Sequence, residues 1–223
     1  MKSKIREYKK INRCHISKNL LIFALLVITG VTAAQTNFEK GMQKAFDLWE
    51  ADKLDEAENM FERIAKAEAD EWLPNYYIAQ INSLKSWNVK DEAVLKAQLE
   101  KAQEHLDIAM IKSEDNAELL VIQAQVYTNW VAFDGMKYGM KYSAKVTETY
   151  AKAYKIDPNN PRVAFGKAEW GMGSAKFFGQ DMAPYCKQME AAIELFDNFK
   201  PESDFHPNWG KERAEQVVKD CKS

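Results

Sequence analysis

Residues 38–64 read FEKGMQKAFDLWEADKLDEAENMFERI, and this stretch decides the fold. Ala45 and Leu48 lie three apart on one helical face, and beyond a short turn at 52–54 come Ala57, Phe61 and Ile64, at i, i+4 and i+7. Small residues where two helices cross let the backbones approach, and larger Leu and Phe fill the space beside them. The 12 residues from Ala45 to Ala57 are the span that two helices joined by a short turn require.

Outward from this pair the register continues. The step from Ala57 to Ala79 is 22 residues, and so are the steps from Ala102 to Ala124, Val146 to Ala168 and Ala192 to Ala214. In a helix-pair repeat of about 34 residues, that step joins the small residue of one pair's second helix to the small residue of the next pair's first. Inside the later pairs the separation grows: Ala79 to Ala102 spans 23 residues, Ala124 to Val146 spans 22 and Ala168 to Ala192 spans 24. The added residues, 85–94, 133–143 and 177–184, lie in the middle of each pair as enlarged turns or extended helix ends. Stacked in register they should gather along one edge, where per-repeat insertions often form a binding face. Asp157-Pro158-Asn159-Asn160-Pro161 is a helix stop followed by a start, and Pro74, Pro207 and Asp115-Asn116 mark other joints. No window alternates apolar and polar residues long enough for a strand. The expectation is an all-α solenoid of about four helix pairs over 35–223, closed by a capping helix over 208–221.

Ala45, Leu48, Ala57 and Phe61, and later Tyr150, Ala153 and Pro158, resemble the tetratricopeptide signature, in four degenerate repeats over about 36–200. Asn82 stands where an apolar residue is usual, and three pairs exceed the standard length. The resemblance implies a right-handed stack whose first helices line an inner groove. Asn160-Pro161-Arg162, Phe178-Gly179 and His206-Pro207-Asn208-Trp209-Gly210 are similar to a group of exported tetratricopeptide proteins of Gram-negative bacteria, which implies a periplasmic or secreted setting and no particular chemistry.

The start of the chain reads as an export signal. Lys2, Lys4, Arg6, Lys9, Lys10, Arg13 and Lys18 precede an apolar run over 20–31 that ends in Thr32, Ala33 and Ala34. A membrane anchor is the alternative, but the run falls short of the roughly 20 residues a bilayer core needs. Cleavage between Ala34 and Gln35 would leave 189 residues with 24 basic and 32 acidic side chains, a net charge of −8. An acidic chain argues against nucleic acid as a partner, and no membrane insertion is expected once the signal is gone. Cys14 leaves with the signal. If helices near 184–199 and 208–221 form an antiparallel hairpin about residue 203, Cys186 and Cys221 lie at matching distances from the turn and face each other, as a disulfide or as two separate buried thiols. In an oxidising compartment the expectation is the disulfide.

Convergent reactive groups are scarce. Beyond the signal only His105 and His206 remain; His105 has no second His four residues away, and His206 precedes Pro207 in a turn. The glycines of 166–173 match neither glycine-rich phosphate loop. No catalytic residue, cofactor or metal is therefore expected. The register points Met42, Phe46, Trp49, Tyr76, Gln80, Val121, Gln125, Thr128, Asn129, Arg162, Phe165, Glu169 and Met172 into the inner groove, an aromatic and amide-bearing wall suited to a peptide or protein partner, unless its aromatics complete the core. The edge is the second candidate: Met136, Tyr138, Met140 and Tyr142, with Phe177 and Phe178, form either an apolar surface or a helix whose Tyr138 and Tyr142 lie on its buried face. Two readings follow. One is an exported, non-catalytic interaction module or scaffold; the other is a small-ligand or glycan binder that uses the aromatic and Met residues beside the insertions.

Overall fold

The computed structural model describes residues 37–222; the signal expected over 1–34 lies outside them. Helix α1 runs over 37–50. It is followed by α2 (Leu54–Ala67), α3 (Leu73–Lys85), α4 (Glu92–Lys112), α5 (Ala117–Phe133), α6 (Gly135–Ile156), α7 (Pro161–Phe177), α8 (Ala183–Asn198) and α9 (Lys211–Cys221). Among the described residues there is no strand, and no helix is long and apolar enough to cross a membrane.

The small-residue register holds at every crossing. Ala45, Ala57, Ala79, Ala102, Ala124, Val146, Ala168, Ala192 and Ala214 all have no exposed surface. Helix α3 touches α5 and α5 touches α7, so the first helices of successive pairs form a continuous layer, each packed against its own second helix. Polar side chains set the starts of the later helices: Asp91, Asn116, Asp134 and Asn160 each accept hydrogen bonds from free backbone N–H groups of the first turn.

The extra residues of the later pairs are used in two ways. In the middle pair they are all helix: α5 and α6 are 17 and 22 residues long, and Asp134 alone joins them, ending one and capping the other. The flanking pairs keep real connections, 86–91 between α3 and α4 and 178–182 between α7 and α8. All three junctions lie along one edge, as the register requires. Lys137 at the start of α6 pairs with Glu92 at the start of α4 at 2.5 Å, and a Cβ placed on Gly135 would come within 3.9 Å of the Phe177 ring.

The C-terminal hairpin closes as the cysteine spacing demands. Cys186 and Cys221 are bonded, with Cα atoms 6.1 Å apart. The last helix begins at Lys211 rather than at 208, because the preceding residues are drawn away from α8 and α9. That connection, 199–210, runs back across the layer of first helices. Phe205 stacks parallel on Phe46 and meets Phe38 edge-on; Tyr77 Oη donates to the Phe205 carbonyl at 2.7 Å, and Trp209 Nε1 donates to Tyr76 Oη at 2.8 Å. Trp209 packs against three of the apolar clusters of the interior. Gly210 ends the segment at φ +110°, where a side chain would be strained and would press on Phe196.

Candidate functional site

The trough expected to receive a partner is occupied by the chain itself. Met42, Tyr76, Val121 and Arg162 have no exposed surface, and Gln80, Asn129 and Phe165 are buried beside them. The remaining groove residues are partly covered and engaged within the fold. Phe46 and Trp49 meet Phe61 and Tyr77 edge-on, Thr128 donates to its own helix at the Ala124 carbonyl, Glu169 binds Arg213, Met172 packs on the cluster around Phe165, and Gln125 is half-exposed. Over Phe46, Tyr76 and Arg162 the physical reason is the 199–210 segment, while Asn129 is turned onto Ser83 and Ser86 at the end of the neighbouring first helix. The segment's Phe199, Phe205 and Trp209 supply the apolar surface for which the spacing of α1, α3, α5 and α7 left room. Seven of the thirteen residues of the contact wall read from the sequence are therefore buried and the other six are partly covered; residues 199–210 were missed because nothing in their composition says where a twelve-residue connection lies.

The floor of that closed trough is a buried ion pair. Arg162 Nε and Nη2 donate to the two Glu118 oxygens at 2.7 and 2.6 Å, Asn160 donates to the same carboxylate at 2.6 Å, and the guanidinium lies 4.3 Å from the centre of the Phe199 ring. Burial, and then the Glu118 charge, push the neighbouring Tyr76 hydroxyl well above the usual phenol range. Asn82, out of place in an apolar position, donates to Glu58, which Lys85 and Lys101 also bind at 2.5 Å each. Burial by itself would raise Glu58, but these bonds outweigh it and hold its carboxyl below the ordinary range. Burial pushes the His105 imidazole down from its ordinary value; its Nδ1 is 2.8 Å from Asn75 Oδ1.

The opposite case is the edge. Ten large apolar side chains stand exposed among the described residues, and eight of them, Leu84, Trp87, Val94, Met136, Met140, Phe177, Phe178 and Met182, belong to the three junctions or the helix ends beside them. Met136 and Met140 are 86% and 97% exposed, Phe177 and Phe178 67% and 70%. The two phenyl rings meet edge-on at 5.0 Å. Because Phe177 lies beside Gly135, its ring adjoins the start of α6, where Met136 is the next residue and Met140 is one turn on.

Tyr138 and Tyr142, expected with this group, belong to the packed side of α6. Tyr142 stacks on Trp130 and Tyr127 at 5.8 and 5.5 Å, and Tyr138 tilts against Trp130 at 4.7 Å. Tyr138 Oη donates to Glu92, and this bond lifts the phenol above its usual range while Lys137 and Tyr138 together lower the Glu92 carboxyl. Lys141 lies over the Tyr142 ring at 4.9 Å and Lys145 over Tyr127 at 5.5 Å. Helix α6 thus carries three stripes, tyrosines inward, lysines beside them and methionines outward.

Two depressions lie elsewhere. One of about 400 Å³ is lined by Asp157, Asn159, Leu195, Asn198, Phe199 and Lys200, and one of about 250 Å³ lies around Asn116 and Lys152; both sit at polar repeat joints. Among the described residues no group of three His, Cys, Asp or Glu is placed to hold a metal ion.

No family model and no curated protein matches this chain. Among solved structures it is similar to the HusA haemophore from Porphyromonas gingivalis, with a TM-score of 0.73 and 22% identity over 82% of this chain and 92% of that one. The likeness is one of fold: a helical arrangement shared over most of both chains.

Proposed function

We propose that the protein is an exported carrier of a planar, largely apolar small molecule of the haem class, held on the edge that the three junctions form. The observation that carries this reading is the gathering of eight of the ten exposed large apolar residues there, since apolar side chains concentrated on one edge rather than scattered singly point to a binding site. The fold shared with a haemophore supports it. A flat ligand suits the edge better than an extended peptide does. The backbone there is mostly helical and internally bonded, with no row of free donors for a second chain, whereas phenyl rings and thioethers offer faces for a macrocycle. Lys141 and Lys145 lie over tyrosine rings rather than on carboxylates, which leaves them able to meet a ligand's acidic groups.

We assign the helix pairs to the tetratricopeptide type on the shared register of their small residues, and the protein's role to holding a ligand rather than transforming it. Export is supported by the basic, apolar and small-residue pattern of residues 1–34 and by a cysteine pair that is bonded, as persists in oxidising compartments.

Titration of the purified protein with haemin, followed in the Soret band, tests the reading. Saturable binding that weakens about tenfold or more in Phe177→Ser/Phe178→Ser, in line with loss of two ring contacts, is expected; Tyr154→Ser, away from the edge, should bind as the parent does. Absence of saturable binding, or equal affinity in all three proteins, would remove the assignment.

A further inference from the structure

Met136 and Met140 stand one turn apart on α6, outside every apolar cluster of the interior and almost wholly exposed. Packing does not account for them. Residues at i and i+4 on a helix surface have Cβ atoms about 5–6 Å apart, and the unbranched Met side chain moves freely enough to bring its sulfur to a ligand. Other donors suited to a transition metal are engaged away from this surface. Both described cysteines are in the disulfide. His105 Nδ1 faces Asn75 on the packed side of α4, and His206 lies in the 199–210 segment between Trp72 and Ser203. At the edge itself Tyr138 gives its hydroxyl to Glu92 and Tyr142 is stacked against Trp130 and Tyr127. The soft side chains left facing outward are thioethers.

We propose that the Met136/Met140 pair supplies a thioether sulfur to the iron of the cargo, so that the protein holds the ferrous form more tightly than the ferric. This rests on the reading of the edge as a haem-class site. Thioether sulfur is a soft donor that favours the lower oxidation state, and an axial Met raises the reduction potential of haem iron. The role of the pair is thus distinct from that of Phe177 and Phe178. The phenyl rings hold the macrocycle whatever it contains, whereas the sulfurs act only on a metal at its centre.

The test compares the full chain with Met136→Leu/Met140→Leu, using haem and iron-free protoporphyrin IX as probes. Leu keeps the apolar volume, so protoporphyrin affinity should stay within about twofold. X-ray absorption at the iron edge should show a sulfur neighbour in the ferrous complex of the parent and none in the double variant, and the midpoint potential of the bound haem should fall in the variant. A parent complex without iron-bound sulfur, or a double variant that keeps it with an unchanged potential, overturns the proposal while leaving porphyrin binding intact. If the parent binds neither probe, the reading of the edge fails, and this inference with it.

Discussion

The inner trough and the outer edge are built from the same materials, aromatic rings and methionines, and they end in opposite states. In the trough Met42 and Tyr76 have no exposed surface and Phe46 is roofed by Phe205; on the edge Met140 is 97% exposed and Phe178 70%. Residue type does not separate them. What does is whether the chain has another segment long enough to reach them: residues 199–210 cover the first, and nothing in the described fold covers the second. An apolar surface that a protein could have closed and did not is a surface available to a ligand.

The largest effect should come from unroofing the trough. Trp209→Ala removes the ring that touches three clusters and the bond to Tyr76, and a loss of about 3–5 kcal/mol is expected from urea unfolding; truncating Met140 should leave the midpoint unmoved. Next is the disulfide. It closes a sequence separation of 35 residues that contains the roofing segment, and Cys186→Ser/Cys221→Ser should lower stability by about 3–4 kcal/mol on the chain-entropy model.

A pair of glycines sharpens the contrast further. A Cβ on Gly166 would sit 2.7 Å from Cζ of the Tyr150 ring, whereas one on Gly173 would meet nothing. Gly166→Ala should therefore cost about 1–3 kcal/mol by overpacking, while Gly173→Ala should raise stability by about 0.5–1 kcal/mol through helix propensity. Equal responses at the two positions would contradict the described packing of α6 against α7.

The smallest effect concerns acid. Glu58 has its carboxyl held below the ordinary value of 4.5 by Lys101, Lys85 and Asn82, so its contribution is complete above about that pH and is lost as the pH falls through the lowered folded value. Denaturation midpoints between neutral pH and about pH 3 should flatten in Glu58→Gln relative to the parent. On the edge, Glu92 is bound to Lys137 with both side chains about half exposed, and Glu92→Gln should leave the acid limb as it was, because exposed pairs contribute little.

Much of the fold was legible because helix crossings impose a local rule. Nine small residues at set spacings predicted nine buried contacts, and Cys186 and Cys221 were brought together by counting residues from a turn. Local rules also predicted that three junctions share an edge. They could not say that Asp134 alone would serve as one junction, since GMKYGMKYSAK is glycine-rich enough to read as a loop until Tyr138 and Tyr142 find Trp130. The accessibility of the groove residues depended on a segment that lies 37 positions from Arg162 but more than 120 from Phe46 and Tyr76, and no periodicity reports a contact of that range. Met136 and Met140 were visible as an excess of thioethers; that they face outward while their tyrosine neighbours face inward is a fact of packing.

The Tyr77 bond to the Phe205 carbonyl joins residues 128 positions apart, and the Trp209 bond to Tyr76 joins residues 133 apart. Stacks of repeats ordinarily make only nearest-neighbour contacts and fray from their ends unit by unit. Here the last connection is buttoned to the first two hairpins, so neither α1 nor the C-terminal hairpin can peel away alone. The two ends of the array are thereby tied together: it should melt in a single cooperative step, and its assembly must wait for residues 199–210 before the first pair is complete.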